Sequence, residues 1–476
     1  MVRGVQDSSV AVLRDVIRPG TTRGLDFITL EELRKRTGVN PQDVLKFALA
    51  ELLCNALDKE DASEISVEVQ TEGELYRLAV SDNGSKKLTE RELRLILDFE
   101  NKASSKRGLL MVSRGYLGNA LKCIIGYSYA LTESKALAPP DIVIESGSYE
   151  YRIVLKPDRI REVIRSEIAT ARREDDGLTT FVVRLPRDGT LQSPSVLKDL
   201  IFATGMVNPS RRITYNIFNE SRSLGSAGEN KPIRRETSAL WYTEKQFQSL
   251  FKDFVRARPQ TQLKEFISLF RGFTSRKVIA QIVEELNNGE KLQKPNFQDR
   301  DFRDTVLVQF FPTTSIGDLP EQIVSRLFAI MKGRSKSIAK RSITSVLGCV
   351  GEKSFDKVRE QNGWERLRYV MMSGTREECP EYYHGDGRCH NLDHVEFPFL
   401  IEIAVFDRKR EDQEGLKVYQ CVNFMASMED IFSRIYNINY HLGRVGIGRD
   451  MPVTVVSHLV CPVLKWLNYG KSGLNE

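Results

Sequence analysis

At 476 residues the chain is too long for one ordinary hydrophobic core, so roughly two or three domains are expected. With 41% hydrophobic and 28% charged residues it reads as a soluble globular protein, and no apolar run approaches the ~20 residues that span a bilayer, which excludes a helical membrane protein. The net charge of +6 permits contact with nucleic acid without arguing for it, and seven scattered cysteines, an odd number, argue against a disulfide framework and for a reducing cytoplasm. The opening segment, MVRGVQDSSV, lacks the apolar core of a secretion signal.

In chain order, PQDVLKFALAELLCNALD (41–58) is a predicted helix, with Pro41 at its first position after Asn40 as cap. Strands are predicted at ISVEVQ (65–70), LYRLAVS (75–81), DIVIES (141–146), YRIVLK (151–156) and TTFVVRL (179–185). Helices intervene at about 89–99 and 117–130. Helices packed on a mostly antiparallel sheet make an α+β pattern running to about residue 220. Residues 221–237, SRSLGSAGENKPIRRET, read as a linker. From 238 to 288 three segments with helical apolar spacing follow: TEKQFQSLFKDFVRA, TQLKEFISLF and SRKVIAQIVEEL. Beyond them TVLVQFFP, FLIEIAVFDR, KVYQCVNFM and PVTVVSHLV are predicted strands, with helices between and a long IFSRIYNINYHLG segment.

Three clusters bear on chemistry. Glu51, Asn55 and Asp58 share one face of the first helix, which alone would be read as a solvated stripe. AVSDNGS (79–85) runs a strand into Asp82-Asn83-Gly84. Asp82 could accept from an exocyclic amine, and Gly84 would let backbone approach a flat ring; alone, the tripeptide is a turn. In ASSKRGLLMVSRGYLGNALK (103–122), Gly115 and Gly118 precede a helix starting near Asn119. Free amides there would suit an anion, with Ser104, Ser105 and Lys106 adding donors and charge.

Taken in order, Glu-x-x-x-Asn-x-x-Asp, strand-Asp-x-Gly and Ser-Lys…Arg-Gly-x-x-Gly resemble the three ATP-binding boxes of the GHKL superfamily (gyrase, chaperone, histidine kinase, MutL). Within it, SSKRGLLMVSRGYLGNALK is similar to the B subunit of DNA topoisomerase VI, a type IIB enzyme. ATGMVNPSRRITYNIF (203–218) is similar to the Asn-Pro strand that closes that family's ATPase domain. VVSHLVCPVLKWLNYGKSGLNE (455–476) is similar to its transducer strand leading to Gly-Lys. The resemblance implies a GHKL (Bergerat) ATPase sandwich at 1–225, a helix–two-turn–helix-like segment at 238–290, and an α/β transducer of ribosomal-protein-S5-like type at 295–476.

It also implies roles. Glu51 would be the general base for the attacking water. Asn55 would ligate Mg²⁺ through its amide oxygen, and Asp58 would support the site from its edge. Asp82 would read the adenine amine, with room left by Gly84. Ser105, Lys106 and the run Gly115, Tyr116, Leu117, Gly118, Asn119, Ala120, Leu121 and Lys122 would wrap the triphosphate of ATP. Lys471 would reach the γ-phosphate from the second domain. The chain departs from the pattern at Lys86, in place of a second glycine, and at Ala120, in place of a third. It ends five residues after Lys471, where the family continues into a segment that docks the A subunit.

Cys379, His384, Cys389, His390 and His394 fall within CPEYYHGDGRCHNLDH and its flank, a ligand set for structural zinc at a non-standard spacing, or else a polar loop. RGFTSRK (271–277) and MKGRSKSIAKR (331–341) could contact DNA phosphates, non-specifically and in a salt-dependent way, or be solvated charge. The leading expectation is an ATP-operated homodimerisation gate acting with a topoisomerase VI A-like cleavage subunit on DNA, with no membrane role. The alternative is a stand-alone MutL- or chaperone-like clamp or switch in repair or defence. A sensor histidine kinase fits poorly, because the first histidine is His384.

Overall fold

The structure is a computed structural model and describes residues 24–100, 109–113, 119–225, 236–288, 309–378, 394–409, 415–428 and 438–464. Strict alternation builds its first sheet. In β1 (Glu64–Glu72), Ile65, Val67 and Val69 are buried while Glu64, Ser66 and Gln70 face out. The other strands are β2 (Leu75–Asp82), β3 (Ile142–Ser146), β4 (Tyr149–Asp158), β5 (Val163–Arg172), β6 (Thr179–Pro186), β7 (Arg212–Ile217) and β8 (Glu220–Leu224). Their spatial order is β5-β4-β3-β6-β2-β1-β7-β8, antiparallel except where β1 runs parallel to β7 with Ile65 opposite Ile213. The chain therefore stays in the sheet through Leu224, inside the stretch expected to be linker.

Helices α1 (Leu30–Thr37), α2 (Val44–Leu57), α3 (Glu90–Ile96), α4 (Ala120–Ser134) and α5 (Pro194–Met206) enclose the main core with that sheet. The α2 sequence, VLKFALAELLCNAL, is dominated by strong helix formers, and a turn of 3-10 helix at Pro41–Asp43 leads into it. Asn40 occupies the cap position, but its side chain makes no capping bond. Only Asn55 on this helix is exposed and only Lys46 half-buried, so α2 is a core helix rather than an amphipathic one. The opposite sheet face is open and hydrophilic, with a cavity of about 710 Å³ bordered by Ser66, Glu68, Arg77, Thr180, Thr214 and Asn216.

A helical group follows: α6 (Glu244–Ala257), started by a Thr243/Gln246 capping box, then α7 (Leu263–Ser268), α8 (Arg276–Asn287) and α9 (Glu321–Arg334). Its interior is aromatic. Phe247 stacks on Phe328 at 4.7 Å and meets Phe266, Phe270 and Tyr242 edge-on or tilted. The strand expected at TVLVQFFP is not formed by its described residues. Phe310 instead exchanges two backbone hydrogen bonds with the Asn287 side-chain amide, which stands in for a neighbouring strand.

Short helices α10 (Ile343–Leu347) and α11 (Glu352–Gln361) lead to a second sheet. It comprises β9 (Arg366–Glu378), β10 (Val395–Asp407), β11 (Lys417–Val422), β12 (Met425–Ala426) and β13 (Val453–Val460), in the order β12-β11-β13-β10-β9. Helix α12 (Ile438–Arg444) lies between β12 and β13 in the chain. Glu402 of β10 is fully buried and accepts from Val350 N–H, Gly351 N–H, the Tyr369 hydroxyl and His458 Nδ1 at 3.0, 2.7, 2.7 and 2.9 Å. The class is α+β, as expected from the sequence. Among the described residues no helix is long and apolar enough to cross a membrane.

Candidate functional site

Helix α2 carries Glu51 into the interior. The side chain is 5% exposed, between Ala50 and Leu52 on an otherwise apolar helix packed against α4. Its charge is felt across that contact: burial pushes the Cys123 thiol of α4 up to about 12, and Glu51 contributes in the same direction. Asn55, one turn on, faces solvent, and Asp58 caps the helix C-terminus half-buried. The three residues thus do not form a solvated stripe; burial divides them.

Asp82 ends β2 and is 3% exposed, opposite the fully buried Thr179 in the β2–β6 register. Sequence reasoning passed over Thr179, whose only signal was its place at the start of TTFVVRL. The turn after Asp82 is pinned on several sides. Gly84 N–H donates to Asp82 Oδ1 at 3.0 Å, the Asn83 side chain accepts from Ser63 and Glu64 N–H, and Ser85 N–H donates to Asp61 at 2.7 Å. The Ser85 hydroxyl and N–H hold the Asp61 carboxyl below its usual range. Lys87 clamps the carbonyls of Gly84 and Gly177, at 3.0 and 2.6 Å, while Lys86 projects into solvent.

A residue the sequence did not single out sits in this corner. Lys59, two positions beyond the end of α2, ion-pairs with Asp82 Oδ1 at 2.8 Å. Its side chain lies along Gly84, so a Cβ placed there would stand 2.6 Å from Lys59 Cδ and 3.1 Å from Lys59 Cβ. The Lys59 stem thus lies against Gly84, beside which room for a flat ring is expected. Its ammonium is buried and makes no well-aligned hydrogen bond.

Asn119 stands at the start of α4, 1% exposed, with neither oxygen nor nitrogen of its side-chain amide bonded, and it does not cap the helix. An unsatisfied buried amide of this kind costs about 1–3 kcal/mol. Ala120 is half-buried and Leu121 buried. Lys122 is 1% exposed, its ammonium held on the Asp98 carbonyl oxygen. Ser105, Lys106, Gly115, Tyr116, Leu117, Gly118 and Lys471 lie outside the described residues.

The short segment 109–113 is braced from two directions. Leu110 N–H donates to the hydroxyl of fully buried Tyr242 at 2.6 Å, and Ser113 carbonyl oxygen accepts from Asn423 Nδ2 at 3.1 Å. Asn423 also bonds both backbone groups of Cys461, just past β13. Phe424, the other half of that left-handed two-residue turn, gives its carbonyl to Asn208 at the end of α5. The helical group and the second sheet therefore both touch the chain leading into the glycine-rich run.

Of the cysteine/histidine cluster, Cys379, His384, Cys389 and His390 lie outside the described residues; His394 is 3.5 Å from Glu377. Among the described residues no three metal-ligating side chains converge.

No family model and no curated protein matches the sequence. The chain is similar, loosely, to solved structures. The N-terminal domain of a DNA repair protein is 11% identical with a TM-score of 0.37, over 90% of this chain and 87% of that one. The gyrase B subunit from Myxococcus xanthus is 10% identical with a TM-score of 0.34, over 98% and 90%. The ATPase region of Saccharomyces cerevisiae topoisomerase II is 9% identical with a TM-score of 0.35, over 91% and 76%.

Proposed function

We propose that this chain binds and hydrolyses ATP in the manner of the GHKL ATPases. The observation that carries the reading is Glu51, a carboxylate kept 5% exposed on an apolar helix packed against the helix that follows the glycine-rich run. A carboxylate on this helix would serve as general base to an attacking water. Asp82 would accept from the adenine amine. The unsatisfied amide of Asn119 would meet the polyphosphate together with Ser105, Lys106 and Gly115 to Lys122. Asn55, exposed on the same helix, supplies the hard amide oxygen that suits magnesium; the ion, when bound, would neutralise phosphate charge. Lys471 would approach the γ-phosphate from the C-terminal unit, making that unit sensitive to nucleotide.

The finer reading follows the resemblance. Residues 1–225 would form the ATPase domain, 238–290 a helical insert and 295–476 a transducer. ATP would pair two copies, and the transducer would pass that state to a topoisomerase VI A-like cleavage subunit acting on DNA. The bracing of segment 109–113 by Asn423 and Tyr242 supports such coupling, since a displacement there is felt by both later parts of the chain.

Hydrolysis by the purified full chain is the test. Glu51→Gln is expected to lower the ATPase rate at least about 100-fold, as for loss of a general base, while nucleotide affinity changes by less than about threefold. Equal rates for the two proteins would remove Glu51 as base and the reading with it. Co-purification with a cleavage subunit and ATP-dependent strand passage would then decide the finer reading.

A further inference from the structure

We propose that Lys59 is a built-in occupant of the base pocket, holding Asp82 and the space over Gly84 until a nucleotide displaces it. The inference rests on the ATP reading above and concerns how that site is gated. Three observations converge on it. The ammonium ion-pairs with Asp82 Oδ1, the same oxygen that takes the Gly84 N–H, and so stands where a base amine would approach that oxygen. The aliphatic stem lies within 2.6–3.1 Å of where a Gly84 side chain would begin, on the surface a flat ring would have to cover. The ammonium is buried yet lacks a well-formed hydrogen bond, although it carries three donors.

That last feature separates a displaceable plug from a permanent ion pair. A lysine locked in place would have its donors satisfied, because a buried, under-bonded ammonium loses hydration without replacement. Here, leaving the pocket returns the ammonium to water, and an adenine amine can restore the acceptor's partner. The stem is long and flexible, and Lys59 lies beyond the last turn of α2, so it can swing out without unwinding the helix. Apparent affinity is then the intrinsic affinity reduced by the fraction of molecules with the lysine out.

Binding of ATP, ADP and adenosine to the full chain, measured by calorimetry on wild type, Lys59→Ala and Lys59→Ala/Asp82→Asn, tests this. If about one molecule in ten has the pocket open, Lys59→Ala tightens all three ligands by about tenfold and to the same extent, because the plug covers the base and not the phosphates. The double variant loses that gain. Affinity unchanged or weakened in Lys59→Ala, with wild type binding ATP, overturns the plug and leaves the ATPase reading standing. So does a change confined to ATP, which would make Lys59 a phosphate ligand. Absence of nucleotide binding in both wild type and Lys59→Ala, with both folded by circular dichroism, overturns the two together.

Discussion

Glu402 and His458 fix each other's hydrogen-bonding roles. Phe424 N–H donates to His458 Nε2 at 3.1 Å, so the ring proton sits on Nδ1 and is given to Glu402 at 2.9 Å. Burial would raise the Glu402 pKa, but the bonds from His458, Val350 and Gly351 outweigh it and hold the carboxyl below its ordinary 4.5. A carboxyl depressed in the folded state stabilises above its unfolded pKa, and that stabilisation is lost as pH falls through the folded value. Urea midpoints should therefore fall below about pH 4.5 more steeply for wild type than for Glu402→Gln. At neutral pH the Gln variant should be less stable by about 1–3 kcal/mol, because its amide nitrogen confronts donors that need an acceptor. The sequence held the signal for this hub. The two-residue period of β10 puts Glu402 in line with Leu400, Ala404 and Phe406, all core residues, and an acid on that face must find partners. Lys59 offered no such signal; its role follows from where the end of α2 meets the turn after β2, and that is set by the fold.

Elements that bury one face were legible, and those on sheet edges were not. β1, β2, β3, β4 and β6 alternate or run apolar and fall within a few residues of expectation. β5 and β9 escaped because each is the terminal strand of its sheet and exposed along most of its length, so neither needs an apolar pattern. α4 shows how an element's position can depend on one missing side chain. Gly126 sits mid-helix, where a Cβ would stand 1.7 Å from the Phe27 carbonyl oxygen. Glycine normally weakens a helix, yet Gly126→Ala should destabilise the protein by about 1–3 kcal/mol or more, because α4 must retreat from the Gly24–Phe27 turn. Thermal unfolding would register the loss. A variant as stable as wild type would mean that the close approach is not kept in solution.

For the whole molecule, the turn Asn423–Phe424 joins segment 109–113 to the second sheet. Both residues adopt left-handed backbone angles, with φ of 48° and 64°, which asparagine tolerates better than phenylalanine. Asn423→Ala should leave ATP binding in place while uncoupling the parts: hydrogen exchange of β13 should stop responding to nucleotide. A response equal to wild type would place the coupling elsewhere. The resemblance to the three ATP-binding boxes could be drawn from the sequence because its residues recur at set distances along the chain. The braces were not, because each joins residues far apart in sequence.

That separation has a consequence for biosynthesis. Tyr242 lies 132 residues beyond Leu110, and Asn423 lies 310 beyond Ser113. A ribosome making this protein from its N-terminus completes the first sheet and its helices long before it releases the side chains that buttress segment 109–113. The stretch feeding the glycine-rich run thus waits for a side chain made 310 residues later. Products that stop short of Asn423 would carry the first sheet and its helices without that brace, so segment 109–113 is buttressed only once β11 has been made.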